Sequence, residues 1–186
     1  MVSRRFVHQI FQFTQNRSLE SMTHRIGDNL VHFHANGHLV EALVDAGVDF
    51  IVIGGLAISW HCPSRTADDL DLLTSPSTEN AARLGSALTY LGLRNADCAN
   101  LARPGLQIAL KHLYYAEILT PTIEGPSFDE ISQDAVRANL LGIPVRVASI
   151  RCLIRMKEIS ASPGNDQEDK HIKDLALLRR QLTSAT

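Results

Sequence analysis

Residues 48–73 read VDFIVIGGLAISWHCPSRTADDLDLL, and the fold is decided within them. Residues 49–53 (DFIVI) are a short β-branched and aromatic run stopped by Gly54-Gly55, the pattern of a buried strand that turns sharply into a helix. Leu56 to His61 suits that helix, and Pro63-Ser64 ends it. Residues 69–73 (DLDLL) then alternate acidic and apolar side chains, as a strand with one polar and one core face does. On such a strand Asp69 and Asp71 point to one side, while Leu70 and Leu72 anchor the other side in the core.

That spacing carries chemistry. Two carboxylates about 7 Å apart along a strand can bind Mg²⁺, a hard cation that takes oxygen ligands and keeps positions open for substrate phosphates. Glycines without Cβ atoms let the backbone approach a phosphate closely, and the N–H groups at the start of the following helix then face the anion. Together these features suit phosphoryl or nucleotidyl transfer from a nucleoside triphosphate, in which developing negative charge is clamped and the attacking and leaving oxygens are aligned. A third carboxylate often completes such a site. Glu117 is the candidate, because it is the single acidic residue in the predicted strand 113–119 and stands among apolar neighbours in YYAEIL, where an unpartnered carboxylate is costly. Arg65 offers a fork of donors for a triphosphate, with Thr66 beside it.

The strand, Gly-Gly, short helix and Asp-Leu-Asp of residues 48–73 resemble the DNA polymerase beta-like nucleotidyltransferase superfamily. The likeness is greatest to its small bacterial branch of toxin–antitoxin and antibiotic-modifying nucleotidyltransferases. Residues 145–160 (VRVASIRCLIRMKEIS) and 169–178 (DKHIKDLALL) resemble the same branch, in which a helix lysine, here Lys157, and a later helix close the domain. The resemblance implies a magnesium-dependent, NTP-binding (ATP-binding) enzyme. Gly54 and Gly55 would hold the triphosphate, Asp69 and Asp71 would bind Mg²⁺, and Glu117 would act as the third acid. Arg65, Thr66 and Lys157 would contact the nucleotide. The acceptor hydroxyl is left open between RNA, a protein and a small molecule, with a cognate toxin or antitoxin among the partners implied. The reading from another class is a nucleotidyltransferase-like module that has lost catalysis and serves as a binding or antitoxin partner.

Around this centre the chain has 186 residues, 45% hydrophobic and 20% charged, enough for a single domain that buries a sizeable core without disulfides or a structural metal. Cys62, Cys98 and Cys152 are odd in number and far apart, which argues against a disulfide framework and a zinc ribbon. No apolar run approaches membrane-spanning length, and residues 1–15 lack the core and cleavage site of a signal peptide, so a cytoplasmic protein with no membrane partner is expected. A net charge of −2 excludes whole-surface attraction to nucleic acid.

Residues 1–27 read as an N-terminal helical extension and linker, with Met22 as an alternative start, and 28–186 as the nucleotidyltransferase domain with C-terminal helices. Helices are expected from Asp28 to near Gly47, over 78–91, from Ser149 and over about 167–182. Further strands are expected at 106–110, 113–119 and 143–147, with a polar loop over 121–134. His32, His34 and His38 read as a polar helix face, and Trp60, His61 and one of Tyr114 and Tyr115 as candidates to border the cleft. The expected fold is α/β (α+β), a small mixed sheet flanked by helices.

Overall fold

The computed structural model describes residues 25–26, 33–67, 69–94, 96–161 and 167–184. Most of the expected N-terminal extension (residues 1–24 and 27), with Met22, and also Asp28 and His32, lie outside the described residues. The strands are β1 (Arg25–Ile26), β2 (Phe50–Ile53), β3 (Leu70–Thr74), β4 (Gln107–Ala109), β5 (Ala116–Leu119), β6 (Val136–Leu140) and β7 (Ile143–Val147). Among the described residues they form one mixed sheet in the order β1-β6-β7-β2-β3-β5-β4. The helices are α1 (Phe33–Asp45), α2 (Gly54–His61), α3 (Thr78–Tyr90), α4 (Lys111–Tyr114), α5 (Phe128–Gln133), α6 (Ile150–Ser160) and α7 (Glu168–Ser184), with a 3₁₀ turn at Cys98–Ala102. This is the expected α/β architecture. Among the described residues no helix is long and apolar enough to cross a membrane.

All four residues of β2 are buried, as the unbroken apolar run FIVI requires of a central strand. It pairs antiparallel with β3 and parallel with β7. Polar groups in the connections are met locally. Ser77 caps α3 by accepting from the Asn80 N–H, and Ser149 caps α6 by accepting from the Cys152 N–H, each satisfying a donor that the helix leaves unpaired. Asn80 is buried and donates through Nδ2 to the carbonyls of Asp49 and Ser75 at 3.0 and 3.1 Å, while its Oδ1 accepts from the Asp49 N–H at 2.7 Å. It thereby fixes the start of β2 to the end of β3. Helix α1 packs on α3, and α6 packs on α7.

Two expectations are corrected and one strand is added. Residues 113–115 are not strand: β4 and β5 do pair antiparallel, but α4 joins them and ends on Tyr115 in the left-handed region at φ 48°. Tyr114 and Tyr115 therefore do not alternate across a sheet. The polar segment 121–134 contains α5, opened by a capping box in which Ser127 Oγ accepts from the Glu130 N–H and Glu130 accepts from the Ser127 N–H. Ahead of the expected strand at 143–147 lies β6, paired to β7 through a two-residue turn in which Leu141 and Gly142 have φ 54° and 84°. Positive φ at both turn positions is the hairpin geometry usually written Asn-Gly. Leu141 takes the first position because its side chain is buried at 2% exposure.

Candidate functional site

The register of the sheet builds the site. Ile53 of β2 pairs with Asp71 of β3, Asp71 with Glu117 of β5, and Glu117 with Ala109 of β4. Asp71 and Glu117 are therefore neighbours on adjacent strands, about 4.8 Å apart at the backbone, and they share a face. Asp69, two residues before Asp71, lines the same cleft. The cleft has a volume of about 470 Å³, and Gly54, Gly55, Asp69, Asp71, Glu117 and Lys157 all border it.

Gly54 is fixed by this arrangement. Its φ of 64° lies in the left-handed region, and a Cβ built on it would stand 1.8 Å from Asp71 Oδ2. The strand-to-helix turn thus presses backbone against carboxylate, which only glycine allows. At Gly55 an added Cβ would meet Arg65 Nη2 at 3.5 Å and Ala67 Cβ at 3.8 Å, which is ordinary contact. Helix α2 begins at Gly54 with no side-chain cap on the N–H groups of its first turn, and both of its opening glycines line the cleft.

Negative charge is concentrated here. The Asp71 carboxyl is pushed up to about 7, first by burial and then by repulsion from Asp69 and Glu117, against a smaller opposing pull from Lys157 and Lys111. A carboxylate held in this way is answered by a cation. Part of the answer is Lys111, whose Nζ stands 2.9 Å from Glu117 Oε1; the hydrogen bond to Glu117 holds the Lys111 ammonium above its ordinary range. The residues fit Mg²⁺ in the form that uses one or two carboxylates together with substrate phosphates: Asp69 and Asp71 stand at the glycine turn, with Asp71 in excess negative charge. Among the described residues, however, no group of three His, Cys, Asp or Glu side chains is assembled to hold a metal ion, and Glu117 is turned to Lys111.

Lys157 reaches the cleft from α6 together with Lys170 and His171 of α7. Burial lowers the pKa of its ammonium, and the charge of Asp174 works in the opposite direction. Arg65 and Thr66 do not line the cleft: Arg65 Nε donates to Asp174 Oδ1 at 2.8 Å, and its Nη1 donates to the Thr66 carbonyl. Trp60 and His61 are absent from the cleft wall as well. The His61 ring contacts the Ala148 carbonyl through Nε2 at 2.8 Å, and Trp60 packs against the core.

Two residues beside the site have no role assigned by the sequence motifs: Lys111, and Asp174 within the segment 169–178. Lys111 reaches Glu117 because α4 folds the chain back over β5, which a plain hairpin does not do. Asp174 left a signal: it lies four residues before the buried Leu178 and next to the buried Leu175, so a charge sits on the apolar face of an amphipathic helix.

No protein-family model matches the chain, and no curated protein matches it. Solved structures do. The chain is similar to the crystal structure of ANT(2″)-Ia in complex with adenylyl-2″-tobramycin, at 20% identity and a TM-score of 0.52, covering 78% of this chain and 86% of that one. It is also similar to the solution structure of the antibiotic-resistance factor ANT(2″)-Ia, at 19% identity and a TM-score of 0.55, covering 81% and 83%. An antigenic nucleotidyltransferase-like protein from Paracoccidioides brasiliensis aligns at 20% identity and a TM-score of 0.46, over 80% of this chain and 76% of that one. The sheet, the helices around it and the glycine turn beside paired aspartates thus belong to a chain with the nucleotidyltransferase fold.

Proposed function

We propose that this protein transfers a nucleoside monophosphate from an NTP to an acceptor hydroxyl. The observation that carries the proposal is the juxtaposition of the Asp71 carboxylate, beside Asp69 and in register with Glu117, and the Cβ-free turn at Gly54. In this reading the N–H groups of the α2 first turn bind phosphate oxygens and Lys157 neutralises the far end of the triphosphate. Asp69 and Asp71 hold Mg²⁺, which supplies charge neutralisation and alignment of the phosphates. Glu117 accepts the proton of the acceptor hydroxyl as its oxygen bonds to the α-phosphorus. The bond from that phosphorus to the bridging oxygen of the β-phosphate breaks, and pyrophosphate leaves. For Glu117 to act it must exchange Lys111 for the acceptor.

A small-molecule acceptor is favoured, since the similar ANT(2″)-Ia carries adenylyl-2″-tobramycin; RNA, or a protein hydroxyl in a toxin–antitoxin pair, are the other acceptors to test. The Lys111–Glu117 ion pair favours a second reading, a nucleotide-binding module without catalysis, because it occupies the third acid. Incubation with each α-labelled NTP, Mg²⁺ and, in turn, an aminoglycoside, bulk tRNA and cell protein separates the two. Label transfer that is lost in Asp71→Ala supports the enzyme, and nucleotide binding without transfer to any acceptor supports the module.

A further inference from the structure

Asp174 is 1% exposed on α7, a placement that is costly for a carboxylate unless its charge is answered. Two cations from distant parts of the chain answer it. Arg65, in the segment after α2, donates from Nε to Oδ1 at 2.8 Å. Lys157, on α6, stands with Nζ 3.5 Å from Oδ2, an ion pair longer than a hydrogen bond, and Oδ2 has no hydrogen-bond partner. The Lys157 side chain is 14% exposed and contacts His171 Nδ1 at 3.2 Å. Lys157 borders the cleft and Asp174 does not.

We infer that Asp174 is a positioning residue: from behind the cleft it holds the Lys157 ammonium where the triphosphate of a bound nucleotide ends, and Arg65 fixes the carboxylate that does so. This rests on the NTP-binding reading above. A lysine is a point charge on a flexible four-carbon stem, so its aim must be set by its neighbours. The charged and titratable groups that act on it are Asp174, Lys170 and His171 of α7 and Asp71 of β3. Lys170 repels it, and Asp71 attracts it less strongly than Asp174 does. Removing the Asp174 charge leaves a buried ammonium beside like charge, free to swing outward or shed its proton. The longer contact to Oδ2 suits a group that must also reach phosphate: Lys157 is held without being saturated.

The test is calorimetric titration of the full chain with Mg²⁺ and each NTP, then with the corresponding monophosphate. Asp174→Asn is expected to weaken NTP binding about tenfold and leave monophosphate binding within twofold, because the monophosphate does not reach Lys157. In the Lys157→Met background the same substitution is expected to cost no further NTP affinity. This double variant also removes the unpaired buried cation, so it serves where the single variant does not fold. Equal weakening toward NTP and monophosphate, or a further tenfold loss in the Lys157→Met background, overturns the positioning role and leaves the NTP reading intact. A wild-type protein that binds no NTP overturns that reading and this inference with it.

Discussion

Gly54 and Asp71 exclude each other's side chains: a Cβ on Gly54 would lie 1.8 Å from Asp71 Oδ2 and 2.7 Å from its Cγ, at a backbone φ of 64°. The tight turn and the central carboxylate are therefore one feature. Gly54→Ala is expected to cost about 3 kcal/mol or more, from left-handed strain and the displaced buried acid together, measured by urea unfolding. Gly55→Ala, where the added atom meets nothing closer than 3.5 Å, is expected to leave the unfolding midpoint unchanged within the error of the melt.

Asp71 makes stability depend on pH. Its carboxyl is raised from 3.8 to about 7 in the folded protein, chiefly by burial, so ionisation favours the unfolded chain. Stability that is present below the unfolded value is lost progressively as pH rises, with the full loss reached above about 7. Asp71→Asn removes this cost. Without divalent cations the variant is expected to melt higher than wild type at pH 8, by about 3 kcal/mol or on the order of 5–10 °C, and level with it at pH 3. A variant that melts lower at pH 8 contradicts the charge imbalance.

Lys111 competes with any cation for Glu117, at 2.9 Å in a pair whose lysine is half-exposed and whose carboxylate is mostly buried. Lys111→Met is expected to lower stability by about 1–3 kcal/mol, because it leaves the mostly buried Glu117 carboxylate unpaired beside other acids. Binding of Mn²⁺, followed by electron paramagnetic resonance, is expected to tighten several-fold. Unchanged Mn²⁺ affinity would mean that Glu117 is not a competing ligand.

How much of this was legible follows from how local each signal is. The β2–α2–β3 unit and its paired aspartates could be read because glycine punctuation and period-2 alternation lie within one stretch of chain. The strand carrying Glu117 was placed, but its start was not, because the left-handed Tyr115 that ends α4 is not a residue type that announces such a conformation. The Leu141-Gly142 hairpin was hidden for a similar reason: tertiary burial of Leu141 replaces the usual turn chemistry. The Arg65–Asp174 contact joins residues 109 positions apart, and no periodicity encodes a partner at that distance. The buried acid that contacts Arg65 and Lys157 is visible in the sequence only as a misplaced residue on an apolar helix face.

Asn80 provides a stability test remote from the cleft. Both ends of its amide are engaged with Asp49, and it also donates to Ser75. Asn80→Ala leaves the Asp49 N–H without its partner, while the Asp49 and Ser75 carbonyls keep the N–H groups of Ser75 and Ser77, and is expected to cost about 1–2 kcal/mol in a guanidinium melt. Ser86→Ala, which removes one exposed bond to the Ala82 carbonyl at 3.1 Å, is expected to cost under about 0.5 kcal/mol.

In the proposed function, the paired aspartates at the glycine turn direct chemistry to the α-phosphorus of an NTP. Pyrophosphate release, measured with Mg²⁺, each NTP and an acceptor panel for wild type and for Asp69→Asn and Asp71→Asn, tests it most directly. Wild type is expected to release one pyrophosphate per acceptor modified, and each variant to lose at least about a hundredfold in rate. Release of orthophosphate in place of pyrophosphate, or pyrophosphate release that survives both substitutions, would contradict it.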